Sequence, residues 1–243
     1  MKSLLKFPLL VAVATMMSCS FSACSDNDDP TPDTGTSETD AKFEAIAKQY
    51  LDHTVYVTYK NLADETEQLV KDLQALKSSK TDANVKATCE TFLEARAWWE
   101  KSEAFLYGAA TDFGIDPHID SWPLDLDGLQ TALKNTEQVE AMGGEDGDIY
   151  AGEKLGNSLL GFHGIEYILF EDGSPKSVSK ISDLHLTYAV AVAGDLRNRC
   201  WQLELSWRGE SAVNADRVAK VANELELPYT VNSGEYSYGE KIC

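Results

Sequence analysis

The stretch Phe43–Lys77, FEAIAKQYLDHTVYVTYKNLADETEQLVKDLQALK, decides the fold class. Ile46, Tyr50, Val57, Leu62, Leu69, Leu73 and Leu76 recur near helical spacing, which predicts one long amphipathic helix. Ser79 and Thr81-Asp82 punctuate it, and Ala83–Tyr107 is predicted as the next helix. Gly108–Gly128, with Gly114, Pro117 and Pro123, reads as an irregular connection. Leu129–Met142 is predicted helical and stops at Gly143-Gly144. Ile149–Phe170 reads as one helix closed by Asp172-Gly173-Ser174-Pro175, and Ile181–Trp207 and a weaker Val213–Leu227 follow. Runs of strict alternation with β-branched residues are nearly absent. Long helices joined by short turns predict an all-α, mostly antiparallel helical bundle.

The residues before the first helix indicate a destination. Lys2 and Lys6 flank the start of an apolar core, Leu4–Met17, that is too short to span a bilayer as a stable anchor. Residues 1–23 read as a lipoprotein signal, and Cys24, which follows the small Ala23, is the expected lipidated residue. Cys19 is the alternative acceptor, and an ordinary cleaved secretory peptide is the plainer reading. The acidic run after Cys24, Ser25-Asp26-Asn27-Asp28-Asp29, resembles the export signal of surface lipoproteins in the Bacteroides group. The expected location is therefore the outer membrane, facing outward, with contact to lipid through the anchor alone. Residues 24–40 read as an acidic flexible linker, rich in Thr, Ser and Asp with Pro30, Pro32 and Gly35. Residues 41–243 form the expected folded domain, long enough for one substantial core.

The formal net charge is −19, and it becomes more negative once Lys2 and Lys6 are removed. Such a balance argues against nucleic acid, whose binding depends on lysine and arginine neutralising phosphates. It also argues against adsorption on anionic headgroups. Cys89 and Cys200 are open to two readings, a disulfide permitted by an envelope location or two buried thiols.

The chemistry concentrates in Gly161-Phe162-His163-Gly164-Ile165-Glu166. Residues three apart share a helix face, so His163 and Glu166 are expected to point the same way. Gly161 and Gly164, also three apart, strip bulk from a neighbouring strip.

Three segments together resemble the imelysin family, bacterial envelope proteins classed among the metallopeptidases and linked to iron uptake. They are Ala95–Gly108 (ARAWWEKSEAFLYG), Ile115–Leu124 (IDPHIDSWPL) and the Gly-x-His-x-x-Glu motif above, in that order. The resemblance covers about Phe43–Gly239 and implies two similar helical bundles flanking a cleft. It further implies that this chain holds the first bundle and the start of the second, being short at its C-terminal end.

His163 and Glu166 are both metal ligands by type, and a stable site needs three or four. Further candidates are Glu100 and Glu103 on the second helix and Asp116, His118 and Asp120 in the connection. Arg96 lies one turn before Glu100 and is expected to pair with it, which leaves Glu103 as the favoured third ligand. The predicted metal set is His163, Glu166, Glu103 and Asp120. Trp98, Glu100, Asp116, Trp122, Gly161 and Gly164 line the expected pocket. Carboxylates with one histidine suit iron, with zinc as the alternative. The plainer reading makes His163 a core histidine hydrogen-bonded to Glu103 or Asp120 with no ion.

The expected function is binding of a metal ion, or a metal-bearing ligand, for iron uptake. The alternatives are a metal-dependent peptidase with Glu166 as general base and a helical scaffold for another envelope protein. Against the peptidase, the inverted zinc motif His-x-x-Glu-His would need histidine where the chain has Tyr167.

Overall fold

The computed structural model describes residues 38–242. The expected signal segment, Cys24 and the linker as far as residue 37 lie outside the described residues. The first helix, α1, runs Glu38–Tyr50, so the last three residues read as linker are already helical. It passes through a single wider π turn, Leu51–Val55, into α2, Tyr56–Ser78. The periodic stretch Phe43–Lys77 is thus one continuous rod. Its α2 part buries Tyr59, Leu62, Leu69, Leu73 and Leu76. Thr81 accepts from the Asn84 N–H and starts α3, Asp82–Ser102. A connection this short forces α2 and α3 into an antiparallel hairpin.

The chain then breaks into short helices: α4, Ala109–Asp112; α5, Ile115–Ile119; α6, Leu126–Lys134; α7, Thr136–Met142; and α8, Gly147–Lys154. The helix expected over Leu129–Met142 is two helices. The Asn135 side chain accepts the Gln138 N–H and caps the second, which leaves Asn135 itself non-helical. The helix expected over Ile149–Phe170 is also two, α8 and α9, Gly161–Leu169. Leu155–Leu160 between them is extended or a single tight turn. Phe170–Glu171 pairs with Ser174–Pro175 in a two-residue hairpin. Asp172 and Gly173 take positive φ angles of 51° and 72° at its tip, the pattern that Asp-Gly adopts most readily.

The last long helix, α10, runs Asp183–Arg208. Helices α2, α3, α9 and α10 contact one another in a ring, while α7 and α8 lie along α10. The helix α11, Ala215–Glu224, covers a small satellite cluster around Trp201, Leu205 and Val221, and α12, Tyr238–Ile242, closes on α10. Because α10 is surrounded, its polar residues are buried and need partners inside the fold. Most have them: Asp195 meets His118 Nε2 at 2.8 Å, Asn198 donates to Asp148, and Gln202 donates to the Glu226 carbonyl, whereas the Ser206 hydroxyl and the Trp201 and Trp207 indole N–H groups have no hydrogen-bond partner among the described residues. Glu204 accepts from Arg217 at 2.8 Å and also pairs with Arg208. Cys89 and Cys200 are both buried and free, so the second reading of these residues holds; burial pushes the Cys89 thiol up to about 12. Among the described residues no helix is long and apolar enough to cross a membrane.

Candidate functional site

Three separate segments build the site: the end of α3, the stretch leaving α5, and the first two turns of α9. What brings α9 against the α5 exit is Gly161. Its φ is +64°, and a Cβ there would lie 2.7 Å from the Ile119 Cα and closer still to its carbonyl. Only glycine fits a positive φ under a crossing backbone. Gly164 serves a second approach, with the Tyr188 hydroxyl 2.7 Å from where its Cβ would stand. That hydroxyl donates to the Leu159 carbonyl. The two glycines are therefore contacts between elements, one of them at a helix start instead of an interior.

His163 follows directly, half-covered by the Trp122 ring at 4.8 Å between centroids. Its Nε2 lies 3.1 Å from Asp120 Oδ1 and its Nδ1 lies 3.2 Å from Glu166 Oε2. Asp120 is held from the other side. Arg96 pairs with Oδ1 and the Trp99 indole N–H donates to Oδ2 at 2.7 Å. Arg96 also reaches Glu100 at 2.5 Å, as its spacing predicts. Burial disfavours the Arg96 charge, but the hydrogen bonds and charges of Asp120 and Glu100 outweigh it and raise the guanidinium pKa. Asp116, one turn before Asp120, is raised by burial and by the Asp120 charge.

The expected residues divide accordingly. His163, Glu166 and Asp120 are together, with Trp122 above them. Glu103 is not with them: α3 ends at Ser102, Glu103 enters a tight 3-10 turn, and its exposed side chain forms no hydrogen bond or ion pair with that group. Glu100 is engaged by Arg96 on the surface. Trp98 packs partly into the core, with the Lys101 ammonium 3.5 Å from its ring centre. Among the described residues no three His, Cys, Asp or Glu side chains are grouped so as to hold a metal ion. Sequence reading missed two supports of the site, Arg96 as a partner of Asp120 and the Trp99 indole. Their i, i+3 spacing on α3 was the available signal.

Beside His163 opens a cleft of about 430 Å³, lined by Phe92, Leu93, Trp122, Leu124, Tyr167 and Phe170 and edged by Glu166, Glu171 and Asp172. Glu166 is half exposed at its mouth, whereas the Asp120 side chain is only 10% exposed behind it. Tyr167 stands where a zinc peptidase of the inverted type has its second histidine, and the Lys176 ammonium sits 4.6 Å from its ring. The wall is thus apolar and aromatic, with an imidazole–carboxylate pair at one edge.

The imelysin family, peptidase M75, matches residues 55–238, which include every element of this site. The chain belongs to the imelysin family. A relative, iron-regulated protein A of Synechococcus elongatus, is 31% identical over 163 residues. That match covers 67% of this chain and 40% of the relative. A crystal structure described as an iron-regulated protein A precursor from Parabacteroides distasonis superposes with a TM-score of 0.66. It is 24% identical and the match covers 86% of this chain and 52% of that one, so it shares the helical fold. This imelysin chain therefore spans about half or less of the length of both.

Proposed function

We propose that this imelysin is an outer-membrane lipoprotein for iron uptake, and that its cleft takes iron as a metal-bearing organic ligand instead of a bare ion. The observation that carries this reading is the donor count beside an apolar cleft. His163 and Glu166 offer two donor atoms, while Asp120 is consumed by Arg96 and Trp99 and Glu103 stands elsewhere. Two donors do not make the four-ligand set that holds a bare structural ion. They do complete the coordination of a cation whose remaining positions are filled by its own chelator. The aromatic lining, Trp122, Tyr167, Phe92 and Phe170, gives the organic part of such a ligand a surface to bury against. The family and the names of its iron-regulated relatives support the choice of iron.

Titration calorimetry of the full chain in detergent tests this, with ferric nitrilotriacetate, free ferrous ion and free zinc ion as probes. Saturable binding of the chelate, tighter than either bare ion, is expected. His163→Ala abolishes it and Glu166→Gln weakens it by about tenfold. A folded chain that binds none of the three, or binds them equally well without His163, refutes the reading.

A further inference from the structure

The geometry points to Asp120 as a positioning residue that fixes the proton of His163 on Nε2, so that Nδ1 and the Glu166 carboxylate face the cleft as a two-atom clamp for a cation. This rests on the reading of the cleft as a binding site. An ionised carboxylate accepts hydrogen bonds and donates none. Asp120 lies against the Arg96 guanidinium and accepts the Trp99 N–H at 2.7 Å, so it stays an acceptor. Its third neighbour, His163 Nε2 at 3.1 Å, must then be the donor. A neutral imidazole carries one N–H, so its Nδ1 is left as a bare lone pair.

That lone pair faces Glu166 Oε2 at 3.2 Å. The contact is a hydrogen bond when Nδ1 carries a proton and a repulsive pair of acceptors when it does not, so in the Nε2–H tautomer a cation between the two atoms relieves it. The spacing also suits chelation. With metal–ligand bonds of about 2.1 Å, a 3.2 Å separation of the donor atoms subtends an angle of about 100° at the metal, between the octahedral and tetrahedral values. The three groups differ in freedom in the way the roles require. The Asp120 side chain is 10% exposed and His163 16%, whereas Glu166 is 53% exposed and free to adjust to what arrives. The Trp122 ring lies 4.8 Å from the imidazole and tilted 56° to it, and His163 and Glu166 line the cleft whereas Asp120 does not. Carboxylates that hold the far nitrogen of a ligating histidine set its tautomer and raise its basicity.

The test is nitrogen NMR on full chain labelled at its histidine imidazoles, with His163→Gln to assign the signals. It is recorded where imidazoles are neutral, before and after adding gallium(III) nitrilotriacetate. Gallium is the diamagnetic stand-in for ferric ion, and the chelator leaves two coordination positions open. The expected wild-type spectrum has His163 protonated on Nε2 alone, and the gallium chelate moves the Nδ1 signal. In Asp120→Asn the two tautomers mix and affinity falls about tenfold to a hundredfold. Glu166→Gln keeps the Nε2–H tautomer. A wild-type His163 protonated on Nδ1, or a gallium shift on Nε2, overturns the inference without any variant needing to fold. An Nε2–H tautomer that Asp120→Asn disturbs, in a protein that ignores every chelate, upholds Asp120 as the positioning residue while the proposed binding falls.

Discussion

Gly161→Ala separates the role of a helix-start glycine from that of a helix-interior one. A residue with a side chain at φ +64° costs about 1–2 kcal/mol from the left-handed backbone alone. The added Cβ would also fall 2.7 Å from the Ile119 Cα, inside the range that real Cβ atoms never show, and what it meets is backbone. Backbone cannot swing aside as a side-chain end does, so α9 and the α5 exit must move apart. Forced overpacking of this kind costs a further 1–3 kcal/mol or so. The sum is about 2–5 kcal/mol, and for a chain of this size each kcal/mol lowers the melting temperature by about 2–4 °C. A fall of about 10 °C is therefore expected by calorimetry or by circular dichroism at 222 nm.

The same displacement carries a chemical readout. Ile119 precedes Asp120 and Gly161 lies two residues before His163, so separating the backbones lengthens the 3.1 Å contact between those two side chains. The His163 tautomer becomes mixed in the folded fraction. Gly156→Ala is the control: its φ is −73° and nothing stands within 4 Å of the new Cβ. It should be neutral or stabilising by up to about 1 kcal/mol, through a less flexible unfolded chain. If Gly161→Ala unfolds within about 0.5 kcal/mol of wild type, the close approach of the two backbones is not a constraint and the reasoning fails.

Two predictions concern the frame. His185 caps α10 by accepting the Ser182 N–H at 3.3 Å, which needs a neutral ring, and burial first and the Lys176 charge next lower its pKa below 6.5. The unfolded chain then takes up that proton before the folded one, so the contribution is full above about 6.5 and is lost as pH falls through the lowered value. Thermal unfolding from about pH 7.5 to 5.5 should show a loss of stability that His185→Gln reduces, since glutamine keeps the reciprocal cap without titrating. Identical pH profiles would count against the cap. Arg217 joins Asp64, Glu67 and the buried Glu204 and lies over the Trp201 ring. Arg217→Ala leaves that buried carboxylate short of a partner and should cost about 3 kcal/mol in urea unfolding, and a loss below about 1 kcal/mol would show the cluster to be ordinary surface.

Much of the fold was legible because apolar periodicity reports burial directly. Leu62, Leu69, Leu73 and Leu76 are buried as their spacing predicts, whereas Ile46, Tyr50 and Val57 of the same expected face are exposed, and the helix predicted over Ile181–Trp207 matches α10 within two residues at each end. The breaks were harder. Leu155–Leu160 is as apolar as the helix it precedes, and what interrupts it is the crossing of Ile119 over Gly161, a contact between segments forty residues apart. Asn135 ahead of Thr136 was a readable cap, but the apolar pattern runs on through it and hides the boundary. Glu103 stays on the exposed face it shares with Glu100 as α3 gives way to a 3-10 turn, and no hydrogen bond or ion pair joins it to Asp120, His163 or Glu166.

Asp120 and Glu166 show why spacing names candidates and leaves their roles open. Both are carboxylates within 3.2 Å of the same imidazole, and each is a metal ligand by type. What separates them is who else holds them. Asp120 has a guanidinium and an indole N–H already in place and is nearly enclosed, so drawing it onto a cation would leave the Arg96 and Trp99 donors short of an acceptor. Buried donors stripped of their acceptor cost about 1–3 kcal/mol each, more when charged. Glu166 has the imidazole alone and half its surface in water, so turning it toward a ligand strands nothing. The cheaper move is therefore the one at Glu166. The enclosed carboxylate is placed to shape the site, and the exposed one is the one free to turn toward a ligand.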